Sequence, residues 1–516
     1  MSAMLTFQIS WGTVVEAAAV AAVMLVLWRQ VRPSSRPPLP PGPRPIPLIG
    51  NLSLPKDYRV TFRELADKYG EVVNFCIFGK NLILLNSKRA VTELLEKRAT
   101  TSFGRQKLVM AHELVGLKYM FSQVSDPVLH RQYRRVFSAV FGPRPSRAFW
   151  DIQTLQIRKL TAKLLTSTSE YSAHIDKATA AISFLIAYGK DLDQEDPSLV
   201  KKIHGFMGLL MRLQAPGAFL VDLIPGLQKL PEGWPGTKFK QQAKVWRKEV
   251  DEVMDVPYQS VKQDMASGKA DPSYTLSLLE GADGKDTDEI VIKWTAGAIF
   301  NAGSDTTAAS IHNFLYAMMM FPQVQAKAQQ ELDAVIGRDR LPTIEDRDKL
   351  PYCWAMTQES LRWQPVAPLA LPHLMLADEI YEGYLIPKGA MIMANVWLLA
   401  REEREFPAAA EFQPERYLSK DAKPSEDAEQ TRGPSFGFGF GRRACPGSYL
   451  AEDSLFAAVV TILWSSIVSI PAGYSKETLD PGYPKKPAVH RPVQFPIDVK
   501  RRFPTALEML KQSIHE

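Results

Sequence analysis

The stretch from Phe436 to Gly447 reads FGFGFGRRACPG. Glycines that alternate with phenylalanine and precede two arginines suit neither a helix nor a regular strand. They indicate a tight loop with positive φ angles and close backbone approach. A helix is predicted to begin near Ser448, so that Cys445 would lie just before a helix N-terminus with Arg442 and Arg443 nearby. Both surroundings favour a thiolate over a neutral thiol.

Cys445 is one of only three cysteines, and the other two, Cys76 and Cys353, lie far from it in the sequence. The absence of a CxxC pair argues against a disulfide framework and against a zinc site with paired thiolates. Few, scattered cysteines fit a reducing compartment. A single loop thiolate suits one axial bond to an iron that already has four ligands, which is haem ligation. The residues alone also allow a reactive nucleophile or plain packing.

The composition is that of a large globular chain: 516 residues, 46% of them hydrophobic, with a formal net charge of +6. A chain of this length can bury a sizeable core. A nucleic-acid-binding protein would concentrate its charge in runs of Lys and Arg, and the sequence has none, so we expect no nucleic-acid partner. The small excess of basic residues fits a solvated surface. The alternative is a local basic patch that binds an acidic partner or an anionic membrane.

The N-terminal stretch 11–28 is apolar and alanine-rich, with Glu16 as its one charge and a tryptophan at each end. It is just long enough to span a bilayer as a helix. No basic residue precedes it and arginines follow at once, so the positive-inside rule places the body of the chain in the cytosol. A secretory signal would have a basic n-region and a cleavage site. We predict a single-pass anchor over residues 1–32, in the endoplasmic reticulum membrane; a core or interfacial helix is the alternative.

The next residues, 33–47, read PSSRPPLPPGPRPIP. Proline at this density favours extended, semi-rigid backbone. We therefore predict a proline-rich hinge over residues 33–50 between the anchor and the body, with an SH3-type ligand as the alternative. Asn51 opens the sequon Asn-Leu-Ser, which should stay unmodified if the body is cytosolic.

No internal repeat or second low-complexity linker follows residue 50, which predicts one large domain over residues 51–516. Phe75–Phe78 and Leu82–Leu85 flank Gly79-Lys80-Asn81 and predict a β-hairpin. Short apolar runs near 380–395, separated by turn residues, have β character. The fold class is therefore α+β and mostly α. Helical patterns are predicted near 87–98, 150–190, 197–215, 237–265, 287–320, 323–337 and 350–364.

The cysteine loop resembles a known signature. Phe438, Gly441, Arg443, Cys445 and Gly447 match every fixed position of the cytochrome P-450 motif FxxGxRxCxG. The resemblance implies a cytochrome P-450 fold with haem b as cofactor. It further implies that Phe438 shields the sulfur, that Arg443 pairs with a haem propionate, and that Cys445 is the proximal iron ligand. Electron donation from a thiolate favours O–O cleavage.

A second match involves Glu359 and Arg362, three residues apart in the helical run QESLRW. Residues at this spacing share a helix face and can pair; most such pairs are ordinary surface pairs. Here the pair lies upstream of the cysteine loop, with Pro414-Glu415-Arg416-Tyr417 between them. This order resembles the Glu-Arg-Arg triad of the family, with Arg416 as the third member. The implied role is to fix the core beneath the haem, since Arg can hold a carboxylate at two points.

The run Ala302 to Thr307, AGSDTT, lies inside a predicted helix. Glycine and paired threonines are poor helix formers, and a mid-helix threonine can bond back to the carbonyl four residues earlier. A bland polar kink is one interpretation. The run also resembles the oxygen-activating motif of the family, which implies that Asp305 and Thr306 supply protons for dioxygen activation.

Further matches concern the haem propionates. His373 stands where the family usually has a propionate-binding Arg or His, and Arg134 matches the Arg of the WxxxR helix. His130 replaces the usual Trp of that motif; a histidine can still donate to a propionate, or it can be structural. The segment 406–412 also departs from the family pattern, with alanines where Asp-Pro is common.

The resemblance implies a monooxygenase that inserts one oxygen atom from dioxygen into a hydrophobic small molecule. Electrons would come from NADPH through a separate NADPH-cytochrome P-450 reductase, because the sequence contains no flavin or dinucleotide fingerprint. Arg131, Arg134, Arg135 and the cysteine-loop arginines are candidate contacts for its acidic surface. The segment 216–239 is similar to that of fungal members of secondary metabolism, in particular the O-methylsterigmatocystin oxidoreductase-like group.

Two other functions are compatible with the same cysteine loop. One is an isomerase or dehydratase of the same fold that uses no dioxygen; such members tend to lose the Asp/Thr pair, which this chain keeps at Asp305 and Thr306. The other is a non-enzymatic haem carrier, in which a thiolate ligand and an N-terminal anchor would have no explanation. Turnover that requires both a reductase and dioxygen would separate the three functions.

Overall fold

A computed structural model of the chain describes residues 36–46, 50–51, 58–215, 217–281, 287–418, 435–479, 481–484 and 489–515. The predicted anchor, residues 1–32, lies outside these ranges. Within them, no helix combines the length and the apolar character that a membrane crossing needs.

Helix dominates the described chain, and short strands form small sheets, which confirms the predicted mostly α, α+β class. The helices are α1 Tyr58–Tyr69, α2 Lys88–Val91, α3 Ala99–Ser102, α4 Pro127–Phe141, α5 Trp150–Leu164, α6 Tyr171–Tyr188, α7 Pro197–Gln214, α8 Leu220–Leu223, α9 Lys238–Ala266, α10 Tyr274–Glu280, α11 Glu289–Met320, α12 Pro322–Val335, α13 Pro351–Trp363, α14 Val396–Leu399, α15 Ser448–Ser465 and α16 Ala506–His515. The predicted pattern 150–190 is thus two helices, and part of 87–98 is a π-helical turn, Thr92–Lys97.

Helix α11 is the central element, and it packs against α6 and α15. It is apolar on nearly all sides, as expected for a helix inside a large core. Gly303 of α11 faces Ser183 of α6, where an added Cβ would lie 2.7 Å from the Ser183 hydroxyl. The glycine that costs α11 helix propensity therefore has a packing reason: it lets the two helices approach closely.

The largest sheet has the strand order β1-β2-β6-β3. Strands β1 and β2 form the predicted hairpin, but the turn is Phe78-Gly79 and not Gly79-Lys80-Asn81, because Lys80 already pairs with Ile77. Both turn residues have positive φ, +47° and +75°, as a two-residue hairpin turn of the primed type requires. The strands are β1 Val72–Ile77, β2 Lys80–Leu85, β3 His373–Leu374, β4 Glu379–Tyr381, β5 Tyr384–Ile386, β6 Met391–Ala394, β7 Ser466–Ser469 and β8 Asp498–Arg501.

The described part of the predicted hinge lies against the body of the chain. The Pro38 carbonyl accepts a hydrogen bond of 2.8 Å from the Leu385 amide, and the Pro41 carbonyl accepts one of 2.9 Å from the Asn74 amide. Asn51 is also engaged: its side-chain oxygen accepts from the Cys76 amide at 2.8 Å. The proline run thus adds its carbonyls to strands β1 and β5.

Candidate active site

The cysteine loop has the backbone that its glycines predict. Gly439 and Gly441 adopt φ angles of +82° and +52°. An added Cβ on Gly441 would lie 2.2 Å from the Leu95 carbonyl oxygen, so no larger residue fits there. The Cys445 amide donates to the Phe438 carbonyl at 2.7 Å and closes the loop. Helix α15 begins at Ser448, as predicted.

The Cys445 side chain is accessible, yet protein surrounds it closely enough for burial to raise the pKa of its thiol. Two groups oppose this increase: a hydrogen bond from the Gly447 amide and the positive charge of Arg134. Arg134 reaches the loop directly, because its Nη1 donates to the Ala444 carbonyl at 2.6 Å. An accessible sulfur inside the protein faces an internal space, as a ligand to a cofactor must.

The sequence suggested Arg442 and Arg443 as support for the thiolate, but the arginine whose charge acts on the sulfur is Arg134. The structure gives Arg443 a different role. Its guanidinium is buried and donates to backbone carbonyls, from Nε to Phe103 at 2.7 Å and from Nη1 to Phe121 at 3.3 Å. A further bond joins its Nη2 to the Val124 carbonyl. Burial lowers the pKa of Arg443 to about 10. Arg443 therefore joins the cysteine loop to two other segments, one at Phe103 and one at Phe121 and Val124.

Arg105 is a second buried arginine in this region, and the sequence analysis missed it. Its Nε donates to the Ser122 carbonyl at 2.9 Å and its Nη1 to the Leu371 carbonyl at 3.1 Å. Burial, and then the charge of Arg443, lower its pKa well below the usual value. The run SFGRQKL around Arg105 has no periodic or motif signal, because its partners lie far away in sequence.

Two buried histidines lie beside these arginines. Burial lowers the pKa of His130 to about 3, and Arg443, Arg134 and Arg105 add to the effect. Its buried Nε2 has no hydrogen-bond partner among the residues that the structure describes. Burial likewise lowers the pKa of His373 to about 3, and its Nδ1 lies 2.9 Å from the Ser102 carbonyl.

The structure therefore brings together four residues that the sequence predicted, His130, Arg134, His373 and Arg443, and adds Arg105. Among the described residues, no carboxylate forms an ion pair with any of the three arginines. Buried cations without a counter-charge are costly. The unpartnered Nε2 of His130 also calls for a polar group. An anionic group that carries two carboxylates, such as haem b with its propionates, fits this donor set.

Glu359, Arg362 and Arg416 lie together, as the family resemblance implies. Arg362 grips Glu359 at two points, Nε to Oε2 and Nη2 to Oε1, both at 2.7 Å. The Nε of Arg416 lies 3.5 Å from Glu359 Oε1. Glu359 also accepts from the Gln413 amide at 2.8 Å. The alternative of a surface pair is excluded, since Glu359 and Arg362 are both fully buried.

The segment 406–412, which departs from the family pattern, has a clear task here. The Ala409 carbonyl accepts from Arg362 at 3.0 Å, and the Ala408 carbonyl accepts from Arg416 at 3.0 Å. Ala408 has a φ of +51°, unusual for a residue with a Cβ. The alanines thus supply backbone acceptors to the two arginines, a role that depends on carbonyl direction and not on side-chain identity.

Asp305 and Thr306 lie in the middle of α11, which is one continuous α-helix from Glu289 to Met320. The Thr306 hydroxyl donates to the Ala302 carbonyl at 2.7 Å, the predicted back-bond. Asp305 and Thr306 are both half-buried, and Ala302 is exposed although it directly follows the buried Asn301. Accessibility in the middle of a core helix indicates an internal space beside this part of α11.

Comparison with known proteins gives the family. The family model described as Cytochrome P450 matches residues 40–487. Cytochrome P450 monooxygenase 208 of Postia placenta is 37% identical over 85% of this chain and 85% of its own length. Tryptamine 4-monooxygenase of Psilocybe cyanescens is 37% identical over 84% of this chain and 86% of its own. Cytochrome P450 monooxygenase claR of Ampulloclitocybe clavipes is 36% identical over 82% of this chain and 79% of its own.

These relatives are fungal, in agreement with the predicted resemblance to fungal members; the O-methylsterigmatocystin oxidoreductase-like assignment stays a prediction. The matched range contains the cysteine loop, the Glu359 triad and the central helix. It extends over most of the chain, and three relatives at this level of identity share the word monooxygenase in their names. The chain therefore belongs to the cytochrome P450 family and is a cytochrome P450 monooxygenase, with haem as the cofactor that the family implies.

Proposed function

We propose that the chain binds haem b with the Cys445 sulfur as axial ligand and inserts one oxygen atom of dioxygen into a hydrophobic small molecule. The observation that carries the proposal is the pairing of an accessible loop thiol with a buried cationic cluster that lacks carboxylate partners among the described residues. When bound, haem supplies the redox chemistry that activates dioxygen.

The residues around Cys445 set the charge of the sulfur. The Gly447 amide and the Arg134 guanidinium both lower the pKa of the thiol against the opposing effect of burial. The Phe438 carbonyl holds the Cys445 amide and so fixes the direction of the Cα–Cβ bond. We assign to Phe438 the shielding of the sulfur, in keeping with its partial burial against the core.

The cationic cluster holds the propionates. Arg105, Arg134 and Arg443 keep their charge despite burial because arginine has a very high intrinsic pKa. Burial lowers the pKa of both His130 and His373 to about 3. The neutral His130 ring can offer an N–H at Nε2. The neutral His373 ring already donates its single N–H to the Ser102 carbonyl, so it would bind a propionate through Nε2 only when protonated. Because the arginines are already bonded to backbone carbonyls, their remaining N–H groups are aimed in fixed directions.

Asp305 and Thr306 move the protons. In the structure the Thr306 hydroxyl donates to the Ala302 carbonyl, which fixes the position of its oxygen. To pass a proton on, the hydroxyl would turn away from this carbonyl, give up its hydrogen to the acceptor and take a replacement proton that comes from Asp305. The presence of both residues favours oxygen insertion over the isomerase or dehydratase alternative.

Electrons come from NADPH through NADPH-cytochrome P-450 reductase. The support is the absence of a flavin or dinucleotide fingerprint in the sequence and a set of basic residues near the cysteine loop. Arg131, Arg135 and Arg442 are exposed, and Arg134 joins this group of residues to the loop through Ala444. An acidic partner surface would complement these charges. Residues 1–32 would anchor the chain in the endoplasmic reticulum membrane with the catalytic body in the cytosol.

The substrate class is inferred from accessible apolar side chains near the site. Ala302 is exposed although it lies in the core helix α11. Leu371, whose carbonyl accepts from Arg105, is also exposed. A hydrophobic small molecule of fungal secondary metabolism fits such walls. One relative is named for the oxygenation of tryptamine, which supports a small aromatic substrate as one candidate.

The test is untargeted metabolite profiling of a strain that expresses the chain with its reductase, against a strain that expresses Cys445→Ser. We expect at least one metabolite heavier by one oxygen atom, with label from ¹⁸O₂, only in the first strain. Identical profiles, or a product without the label, would refute oxygen insertion. Product formation without reductase and dioxygen would support the isomerase alternative.

A further inference from the structure

One loop begins and ends at the buried cationic cluster. The Phe103 carbonyl on one side and the Phe121 and Val124 carbonyls on the other all accept from Arg443. Residues 106–120 between these points, here called the roof loop, must therefore rise from the site and come back to it. Near its end, Tyr119 contacts Trp294 of α11 with ring centroids 6.0 Å apart.

The roof loop thus extends from the propionate-binding cluster to α11. Trp294 lies on the same helix as the accessible Ala302. The loop is attached to the cluster at both ends and packs against α11 near its second end, at Tyr119. It is therefore placed to cover the space between the cluster and α11.

The apex of the roof loop is a short π-helical turn, Val109–Leu114. Leu108, the N-cap residue that precedes this turn, provides no side-chain cap. The cap comes from elsewhere: Asp222 Oδ1 accepts from the Met110 amide at 2.9 Å, across 112 residues of sequence. The Val109 amide also lies close enough to the Asp222 carboxylate to oppose the rise in its pKa that burial causes. A carboxylate at the start of a helical turn satisfies free amides and stabilises the turn.

Asp222 belongs to an exposed segment whose later part is bonded to α9, where Lys240 donates to the Leu230 carbonyl and Lys244 pairs with Glu232. Residues 217–237, here called the cover segment, connect α7 to α9, and most of them are exposed. Leu220 and Ile224, on either side of Asp222, are 67% and 57% exposed. Two contacts hold this part of the segment down: Phe219 packs edge-on against Trp246 of α9 at 5.9 Å, and Val221 is buried.

The two ends of the roof loop and its apex are therefore held in different ways. The ends are fixed by buried arginine bonds, which water cannot replace without loss. The apex is held by a half-buried carboxylate on an exposed segment, where water can take over its contacts with the two amides at small net cost. The apex is the part of the cover that can open while the ends stay in place.

We propose that Asp222 is a latch: its carboxylate holds the roof loop closed over the haem site, and substrate entry requires release of the Val109 and Met110 amides. The role in substrate entry rests on the proposed function. Asp222 acts on access and touches no reacting atom, so it is a positioning residue.

The first measurement is hydrogen–deuterium exchange in the full-length holoenzyme. Asp222→Ala should speed exchange of the Val109 and Met110 amides about fivefold or more, the usual effect of a lost cap. Asp222→Asn keeps an acceptor oxygen and should restore most of the protection, and it also serves if the alanine variant folds poorly. The matched control is Asp196→Ala, which removes a similar two-amide cap from the start of α7 and should leave residues 108–114 unchanged.

The second measurement is the association rate of 1-phenylimidazole, a nitrogen ligand for haem iron, by stopped-flow absorbance. Asp222→Ala should raise this rate several-fold, and Asp196→Ala should not. Faster exchange with an unchanged association rate would overturn the role in access, and unchanged exchange at residues 109 and 110 would overturn the latch itself. A chain that binds no haem would refute the proposed function, yet the exchange experiment would still decide whether Asp222 holds the loop.

Discussion

Glu359 and Arg362 form a two-point ion pair, with both N–O distances at 2.7 Å, and neither side chain has any accessible surface. The remaining donors of Arg362 reach the carbonyls of Ala400 and Ala409 at 2.8 and 3.0 Å. A buried pair of this kind contributes little net stability by itself but becomes costly when one partner is removed. It fixes helix α13 to the segment that leads to the cysteine loop.

Arg362→Ala should therefore leave the Glu359 carboxylate buried and only weakly paired with Arg416. The expected loss is about 3–5 kcal/mol in the free energy of unfolding, with little haem-loaded protein recovered. Arg338→Ala is the control, because Arg338 pairs with Asp333 on the surface and is 55% exposed; we expect a loss below about 1 kcal/mol. Comparable yield and haem content for Arg362→Ala and the wild type would contradict a structural role for the triad.

Replacement of Cys445 tests the iron ligand. Cys445→Ser should abolish the red-shifted absorbance band of the ferrous carbon monoxide complex that thiolate ligation gives. Cys76→Ser serves as the control, because Cys76 lies in strand β1 and takes part in the sheet through its backbone. The control should keep the band. A Cys445→Ser protein that still showed it would remove Cys445 from its assigned role.

Local patterns predicted the parts of the site that depend on local geometry. The positive-φ glycines and the helix start at Ser448 followed from FGFGFGRRACPG, because glycine content and helix initiation are short-range properties. Arg105 could not be found in this way, since its partners Ser122 and Leu371 come from other segments. The sequence suggested its neighbours Arg442 and Arg443 as the cations that support the thiolate, whereas Arg134 from α4 acts on the sulfur.

The same limit applies to the backbone acceptors of the triad. The alanines at 408–409 broke the expected pattern and carried no side-chain signal, yet their carbonyls accept from Arg362 and Arg416. The hairpin turn differs from its prediction for a related reason. The pattern around Gly79 predicts a hairpin, but the position of the turn depends on the pairing of Lys80 with Ile77, which the pattern does not show. The sequence identifies Gly303 only as a poor helix former, and the structure gives it a packing role against Ser183.

His312 predicts a pH dependence of stability. Burial, followed by the charge of Arg491, lowers its pKa to about 3, and its Nε2 lies 2.9 Å from the Arg491 guanidinium. Because an unfolded histidine titrates near pH 6.5, the unfolded state binds an extra proton between about pH 6.5 and 3. The stability that neutral His312 permits is thus lost as the pH falls through this window, by about 1.4 kcal/mol per pH unit.

His312→Gln, which can still accept from Arg491, should remove that part of the dependence. Urea unfolding of wild type and variant at pH 7 and pH 5 measures it, and the difference between the two proteins should shrink or change sign at the lower pH. His130 and His373 titrate in the same direction, so only the difference between wild type and variant isolates His312. An equal pH slope for both proteins would contradict the assignment.

Membrane orientation needs a reporter other than Asn51. Its side-chain amide donates to the Pro43 carbonyl at 3.2 Å and its oxygen accepts from Cys76, so a missing glycan on Asn51 has a structural explanation besides topology. Lys476→Asn places a sequon with Thr478 in an exposed segment. We expect this variant to stay unglycosylated in microsomes, with the body open to added protease. A glycan of full occupancy would reverse the predicted orientation.

Thr306 offers the sharpest test of the proposed oxygen chemistry. Reduced dioxygen needs a proton on the correct oxygen atom for the O–O bond to break, and otherwise hydrogen peroxide leaves. The Thr306 hydroxyl donates to Ala302 at 2.7 Å, which fixes the position of its oxygen, and positioning of a general acid is typically worth about 10²–10⁴-fold. Thr306→Ala should keep substrate binding and NADPH oxidation, while product falls and hydrogen peroxide rises.

Two further variants separate the roles of the pair. Thr306→Ser retains a hydroxyl and should restore most of the coupling between NADPH consumption and product, whereas Asp305→Asn should slow the whole cycle because it limits proton supply. Thr307→Ala is the control, since Thr307 is buried beside them and has no assigned role; its coupling should match the wild type. If Thr306→Ala couples as well as the wild type, its hydroxyl is outside the relay, and a water or the substrate must supply the proton.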